Sequence, residues 1–256
     1  MKHRITNYLI EALLLGLFMV SACFFTALLE HPASPLHQTL PSALARRALI
    51  GLAMGLTAIF LIYSPMGKRS GAHMNPAVTL SFWRLGKMSG VDALSYMAFQ
   101  VFGGLGGVWL SEWCGRSWVA HPAVNFAVTV PGMSGNAAAW MAEFSISFLL
   151  MGTVLAAMKR PAIASMTGLF AGVLVMLYIT FEAPLSGMSM NPARSLASAI
   201  PAGTWTGFWI YLTAPPLAML AAAELIGKGR RWMWCAKLVH DVRYPCLFCK
   251  TQGAAL

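Results

Sequence analysis

This sequence has very little charge. Asp, Glu, Lys and Arg make up 10% of its 256 residues, where soluble domains carry about 25%, which argues against a water-soluble fold and for a membrane protein. Acidic residues are the scarcer of the two charge signs, 8 against 18 Lys and Arg. A cleavable signal peptide is not expected, because the first apolar stretch is too long for an h-region and no small-residue cleavage site follows it. A Walker lysine is also missing. The cluster Gly103-Gly104-x-Gly106-Gly107 therefore reads as close helix packing, since it lies inside an apolar stretch with no strand before it. Neither a nucleophile–base pair nor an intramembrane metal set is present, so no enzyme is expected.

What the chain has in abundance is apolar sequence, 58% of all residues. Six stretches stand out: Tyr8–Leu29, Leu44–Tyr63, Val91–Leu110, Ala137–Met158, Ala162–Phe181 and Trp205–Ile226. A bilayer span needs about 20 residues, so the expected fold class is an all-α membrane protein of six transmembrane helices. The positive charge then reads as topology and not as a nucleic-acid surface. With alternating spans, Lys2, Arg4, Lys68, Arg69, Arg84, Lys87, Lys159, Arg160 and the basic residues from Lys228 to Lys250 fall on one side. Only Arg46, Arg47, Arg116 and Arg194 fall on the other. The positive-inside rule puts both termini in the cytoplasm, with attraction to anionic lipid heads as a secondary effect. No nucleic-acid partner is expected. The chain reads as a multi-pass protein of the plasma membrane, and its lean loops suggest a bacterial inner membrane.

The most informative feature is a tripeptide that occurs twice, Asn75-Pro76-Ala77 and Asn191-Pro192-Ala193. The flanks match: Ser70-Gly71-Ala72-His73-Met74 leads into the first copy and Ser186-Gly187-Met188-Ser189-Met190 into the second. Each copy belongs to a short run, Ala72–Trp83 or Asn191–Ile200, that cannot cross a bilayer core at about 1.5 Å per residue. These read as re-entrant half-helices. Asn is a good N-cap, Pro suits the first helical position, where no N–H is needed, and Ala lets the helix pack closely. Entering from opposite faces, the two would bring their partly positive N-terminal ends together near the midplane. The Asn amides would be held there as donors. The phrases before them would stay extended and present carbonyls along a route lined by Gly71, Ala72, His73, Gly187 and Ser189. Irregular backbone at that depth is tolerated only where it is buried in protein or lines a wet cavity.

On these residues the chain resembles the aquaporin, or major intrinsic protein, family of water and small-solute channels, over about residues 5–227. The resemblance implies six tilted helices and two half-helices in an inverted repeat, with halves of about 5–115 and 135–227. It implies a homotetramer in the lipid bilayer with one pore per subunit. Residues 1–227 form the channel domain in this reading, and 228–256 a cytoplasmic tail. Asn75 and Asn191 match the family's paired Asn residues and Arg194 its filter arginine. Aquaporin-type pores are the usual illustration of selectivity by diameter, donors and a cation-excluding Arg or half-helix dipoles. An Arg within a membrane must otherwise snorkel to lipid phosphates.

Carried onto this sequence, the other filter positions are Ile179, Met188 and either Met54 or Gly55. Water-selective members commonly have His where this chain has Ile179. A ring of Met, Ile, Met and Arg is apolar and flexible with one polar wall. It suits a solute wider than water, or a pore that narrows when the Met side chains fold inward. Pulling the other way, Ser195, Ala199 and Phe208-Trp209 resemble the family's water-type positions, with simple packing as the alternative for Phe208-Trp209.

Glu11 and Glu143 lie inside the first and fourth stretches, where a carboxylate is costly unless it accepts several hydrogen bonds. In the family the matching pair braces the re-entrant loops by accepting backbone N–H groups, and the resemblance implies that role for both. Glu182 is expected to face the outer vestibule. His73 is expected to line the cytoplasmic half of the route, a satisfied structural residue and not a pH gate.

The tail changes character, with Trp232, Trp234, basic residues, and Cys235, His240, Cys246 and Cys249. Cys246-x-x-Cys249 in a reducing compartment points to metal or redox chemistry before a structural disulfide. With Cys235 and His240 it offers four ligands, enough for one tetrahedral zinc. The alternative is an interfacial segment anchored by Trp and basic groups, its thiols incidental or lipidated. The expected function is a passive channel for water driven by osmotic gradients, which requires no cofactor. A facilitator of glycerol or another small neutral solute is the near alternative, and a non-conducting structural membrane protein the remote one.

Overall fold

Apolar runs that must satisfy every backbone group within lipid form helices, and the chain is built from them. The structure, a computed structural model, describes residues 2–227, 235–244 and 246–249. Expectations resting on Lys228, Trp232, Trp234 and Lys250 lie outside the described residues. The first half of the chain contributes α1 (Lys2–Glu30), α2 (Pro35–Thr39), α3 (Ala43–Tyr63), α4 (Pro65–Ser70), α5 (Pro76–Arg84) and α6 (Gly90–Gly115). The second half contributes α7 (Gly135–Met158), α8 (Pro161–Ala164), α9 (Thr167–Phe181), α10 (Ala183–Ser186), α11 (Pro192–Ala202) and α12 (Phe208–Ile226).

Five of these, α1, α3, α6, α7 and α12, are long and apolar enough to cross a membrane. The remaining span departs from the expected continuous helix over Ala162–Phe181. It is broken after α8, and α9 starts only at Thr167. At about 1.5 Å per residue its 15 residues reach roughly 22 Å, short of a hydrocarbon core of about 30 Å. The break is held from α3. The Tyr63 hydroxyl donates to the Ser165 carbonyl at 2.6 Å and accepts from Leu169 N–H at 3.3 Å.

The packing is that of an inverted repeat. α1 lies on α6 as α7 lies on α12, and α3 meets α9 between the halves. The half-helices cross over, α5 packing on α12 and α11 on α6, so each half completes the other. The glycine cluster works as close packing. A Cβ on Gly103 would lie 2.0 Å from the Ala12 carbonyl oxygen, and one on Gly107 2.3 Å from that of Gly16. α1 and α6 therefore touch backbone to backbone. On the outside, Phe60, Leu94, Phe102, Trp113 and Leu225 are exposed, as befits faces turned to lipid or to another subunit.

Candidate functional site

The two short helices begin at the repeated tripeptide. Asn75 caps α5 from an extended conformation, its Oδ1 accepting from Ala77 N–H at 2.8 Å. Asn191 caps α11, accepting from Ala193 N–H at 3.0 Å and Arg194 N–H at 3.2 Å. Pro76 and Pro192 take the first helical position, and Ala77 and Ala193 are buried where the helix starts approach. Because both side-chain oxygens are committed to caps, the donor edge of each amide is fixed. Asn75 Nδ2 donates to the Met190 carbonyl and Asn191 Nδ2 to the Met74 carbonyl, both at 2.7 Å. A primary amide has two N–H bonds, so each Asn keeps one for the cavity it faces.

The phrases leading to the caps are not extended, as the sequence suggested. Ala72, Met74, Met188 and Met190 lie at φ between 49° and 54°, following Gly71 at 108° and Gly187 at 80°. A left-handed residue with a Cβ costs about 1–2 kcal/mol, so something must hold these loops in place. Alternating left-handed residues turn successive N–H groups to one side, making a nest for an anion. A carboxylate fills each nest. Glu11 accepts from the N–H groups of His73 at 3.1 Å and Met74 at 2.7 Å. Glu143 accepts from those of Ser189 at 2.6 Å and Met190 at 2.8 Å. The hydroxyls of Ser70 and Ser186 add one bond each to Glu11 and Glu143, and their carbonyls accept from Tyr96 and Tyr211. Gln100 donates to Glu11 at 2.9 Å. Both carboxylates are fully buried.

A cavity of about 350 Å³ runs past both loops. Ala72, His73, Gly187 and Ser189 face it, as do Met54, Ile179, Met188 and Arg194. Gly55 does not: a Cβ there would lie 2.6 Å from the Gly172 carbonyl, so it serves the contact of α3 with α9. Of the two residues left open by the sequence, Met54 is the one on the wall. Arg194 Nη1 is buried without a hydrogen-bond partner among the described residues. The rest of the wall is largely aliphatic, from residues such as Leu15, Ala58, Val78, Val154 and Val175.

A family profile described as Major intrinsic protein matches residues 3–225. The chain belongs to the major intrinsic protein family. Aquaporin NIP1-3 of Oryza sativa subsp. japonica is 36% identical over 175 residues, which are 68% of this chain and 59% of that protein. Aquaporin NIP1-1 of Arabidopsis thaliana is 36% identical over 205 residues, 79% of this chain and 68% of its own length. The chain thus spans less than two thirds of the first of these relatives. A solved aquaglyceroporin from Plasmodium falciparum superposes with a TM-score of 0.75 over 88% of this chain and 96% of its own, at 18% identity. That likeness is one of fold.

Within the family frame, Gly71 and Glu182 lie elsewhere than expected, and the water-type positions lie off the cavity. Ser195 is buried in a run of hydroxyls, 2.7 Å from Thr129 and 2.6 Å from Ser189. Ala199 is buried, Phe208 packs edge-on against Trp205, and Trp209 is on the outer surface. None of these four faces the cavity. Glu182 is buried instead of facing the vestibule, its Oε1 2.5 Å from the Ser186 hydroxyl, whose one hydrogen it shares with Glu143. Gly71 is off the wall because the tail covers it: a Cβ there would lie 2.8 Å from the Ala236 carbonyl. His73 is on the wall, but both ring nitrogens are engaged, Nδ1 with Thr79 at 3.0 Å and Nε2 with the Ala236 carbonyl at 2.8 Å.

The sequence reading also missed a wall. Between α6 and α7, Ala123, Val124, Ala127 and Val128 face the cavity. Asn125, Phe126 and Ala127 stand at φ 42°, 55° and 51°, strained backbone of the kind that collects at functional sites. Nothing in their residue types announces this, since of the three only Asn tolerates that region readily.

The described part of the tail docks on the body of the protein. Leu238 N–H donates to the Gly71 carbonyl at 3.2 Å, and Lys68 Nζ lies 3.5 Å from Asp241. The hydrogen bond from Arg243, with Lys68 adding to it, holds the Asp241 carboxyl below the usual carboxylate range. The four expected metal ligands come together. The ligand atoms of Cys235, His240, Cys246 and Cys249 all lie within 4.8 Å of one another.

Proposed function

We propose that this chain is a passive channel for water, driven by osmotic gradients and closed to ions and protons. The observation that carries it is the pair of Asn amides, each with its oxygen bound to a helix cap and one N–H bound across to the other loop. A water between them meets only donors. Its oxygen accepts from the two remaining N–H bonds, so its own hydrogens point away along the route and no hydrogen-bonded relay crosses the centre. The two helix N-termini, each worth about half a positive charge, also disfavour H3O+ there. Arg194 supplies the donor at the constriction, repels cations, and shares a ring with Met54, Ile179 and Met188. Glu11 and Glu143 act by holding the loops whose carbonyls line the route.

A specific observation also favours glycerol or another small neutral solute. Of the four filter residues on the cavity wall only Arg194 is polar, and the Met side chains beside it are adaptable. The apolar outer faces fit lipid and the neighbouring subunits of a homotetramer. Both termini are assigned to the cytoplasm from the distribution of Lys and Arg. We place the channel in a plasma membrane; its lean loops suit a bacterial inner membrane. The division at residues 227 and 228 separates a channel domain from a cytoplasmic tail.

Stopped-flow light scattering on proteoliposomes tests the reading. An osmotic step with an impermeant solute should give shrinkage faster than protein-free vesicles. A glycerol step should give slow re-swelling. With protein stripped of metal by a chelator, shrinkage no faster than that of lipid alone overturns the water form, and fast re-swelling moves the assignment to glycerol.

A further inference from the structure

Residues 235–249 raise a physical question. Cys235, Ala236, Lys237, Leu238 and Val239 are all buried, although the described tail contains neither helix nor strand. A described segment this short without regular structure cannot order itself on so small a core; segments of this size are commonly held by a metal or a disulfide.

The tail docks on the wall of the cavity. Leu238 is part of the cavity wall. The Ala236 carbonyl takes the Nε2 hydrogen of His73, which stands on that wall two residues before Asn75. Leu238 N–H takes the carbonyl of Gly71. The Phe248 ring stacks parallel to His73 at 6.1 Å and meets Tyr96 edge-on at 5.8 Å. Every one of these contacts is made by a residue within three positions of a Cys or His of the tail cluster.

The cluster has the chemistry of a metal site. Three thiols and one imidazole are borderline-soft donors suited to zinc, which binds four such ligands tetrahedrally. With zinc–sulfur bonds of about 2.3 Å, ligand atoms sit roughly 3.8 Å apart, within the 4.8 Å that encloses these four. The pairs Cys235 Sγ–Cys246 Sγ at 3.1 Å and His240 Nε2–Cys249 Sγ at 3.2 Å already face inward. Phe248 N–H points at Cys246 Sγ from 3.4 Å, the kind of supporting bond that stabilises a ligating thiolate. The sulfur separation is too long for a disulfide bond of about 2.0 Å.

We propose that Cys235, His240, Cys246 and Cys249 bind one zinc ion, and that this ion holds residues 235–249 as a plug on the cavity wall next to Gly71 and His73. Metal release frees the plug and opens the route; metal binding closes it. The closing function rests on the channel reading, whereas the metal site and the docking do not.

The experiment uses the full chain in three parts. Metal analysis of purified protein, and titration of the metal-free form with zinc or cobalt(II), should give one ion per chain with the absorption of tetrahedral thiolate–cobalt. Cys246→Ser/Cys249→Ser should abolish both. Absence of metal, or a chain lighter by two hydrogens with a Cys235–Cys246 disulfide, overturns the site. Hydrogen-exchange mass spectrometry of peptides containing Leu238 should show exchange rising roughly tenfold or more when a chelator strips the wild-type protein. Equal exchange in the two forms overturns the plug, whether or not the protein conducts. Water flux, measured in the zinc-loaded and stripped states, should rise severalfold on stripping. Zinc-insensitive flux overturns the closing role, while absence of flux in both states, with metal and exchange as predicted, overturns the channel reading alone.

Discussion

Replacing Glu143 with Gln is the sharpest test of how the second loop is held. The isosteric amide keeps the volume of the side chain and changes only its bonding. Its oxygen can remain with Ser189 N–H and the Ser186 hydroxyl, at 2.6 and 2.8 Å in the native protein. Its NH2 group then faces Met190 N–H across what was a 2.8 Å hydrogen bond, donor against donor. One buried N–H left unpaired costs about 1–3 kcal/mol, and turning two charge-assisted bonds into neutral ones costs roughly another 1–3 kcal/mol. A loss of about 2–6 kcal/mol follows, on the order of 10 °C in thermal midpoint for a chain of this size. Function should fall too, because the Met190 carbonyl is the acceptor for Asn75 and a shifted loop moves the amides that meet mid-route.

Glu182 provides the control. It shares the Ser186 hydroxyl, but its Oε2 has no partner among the described residues. Glu182→Gln removes a neighbouring negative charge and breaks no bond to the loop backbone, so its effect should be smaller than that of Glu143→Gln. Thermal aggregation of the two variants in detergent, read by size-exclusion chromatography, and their water permeability in vesicles make the comparison. Equal effects, or a silent Glu143→Gln, would refute the claim that this carboxylate holds the loop.

Two other outcomes are expected. Arg194→Val should admit larger or charged solutes in the same vesicle assay while leaving the fold intact; an unchanged solute profile would mean that the constriction lies elsewhere. Gly103→Ala should force α1 and α6 apart, since its Cβ has 2.0 Å to the Ala12 carbonyl, at a cost of about 1–3 kcal/mol or more. A variant as heat-stable as the parent would contradict the backbone contact between these helices.

The parts of this protein legible in its sequence are those governed by local rules. Asn75-Pro76 and Asn191-Pro192 announce helix starts because capping and the missing proline N–H act within three residues. Glu11 and Glu143 were readable as braces only through the family likeness, though their burial in apolar stretches already demanded several donors. What stayed hidden depends on distant partners. The break before α9 is held by a tyrosine on α3, and the left-handed run Asn125-Phe126-Ala127 has no residue pattern of its own. The four tail ligands could be counted along the chain, but nothing there says that Ala236 reaches His73, 163 residues away. The left-handed Met residues of both loops were likewise unreadable, because the carboxylates that hold them lie on other helices.

The central claim is that the crossed Asn amides pass neutral solute while breaking the proton relay. Its most direct measurement is simultaneous recording of water and proton flux in zinc-stripped proteoliposomes, by light scattering and an entrapped pH-sensitive dye. Water flux well above that of protein-free vesicles with no added proton leak is the predicted result. Proton flux that rises together with water, or water flux no greater than through lipid, would contradict it.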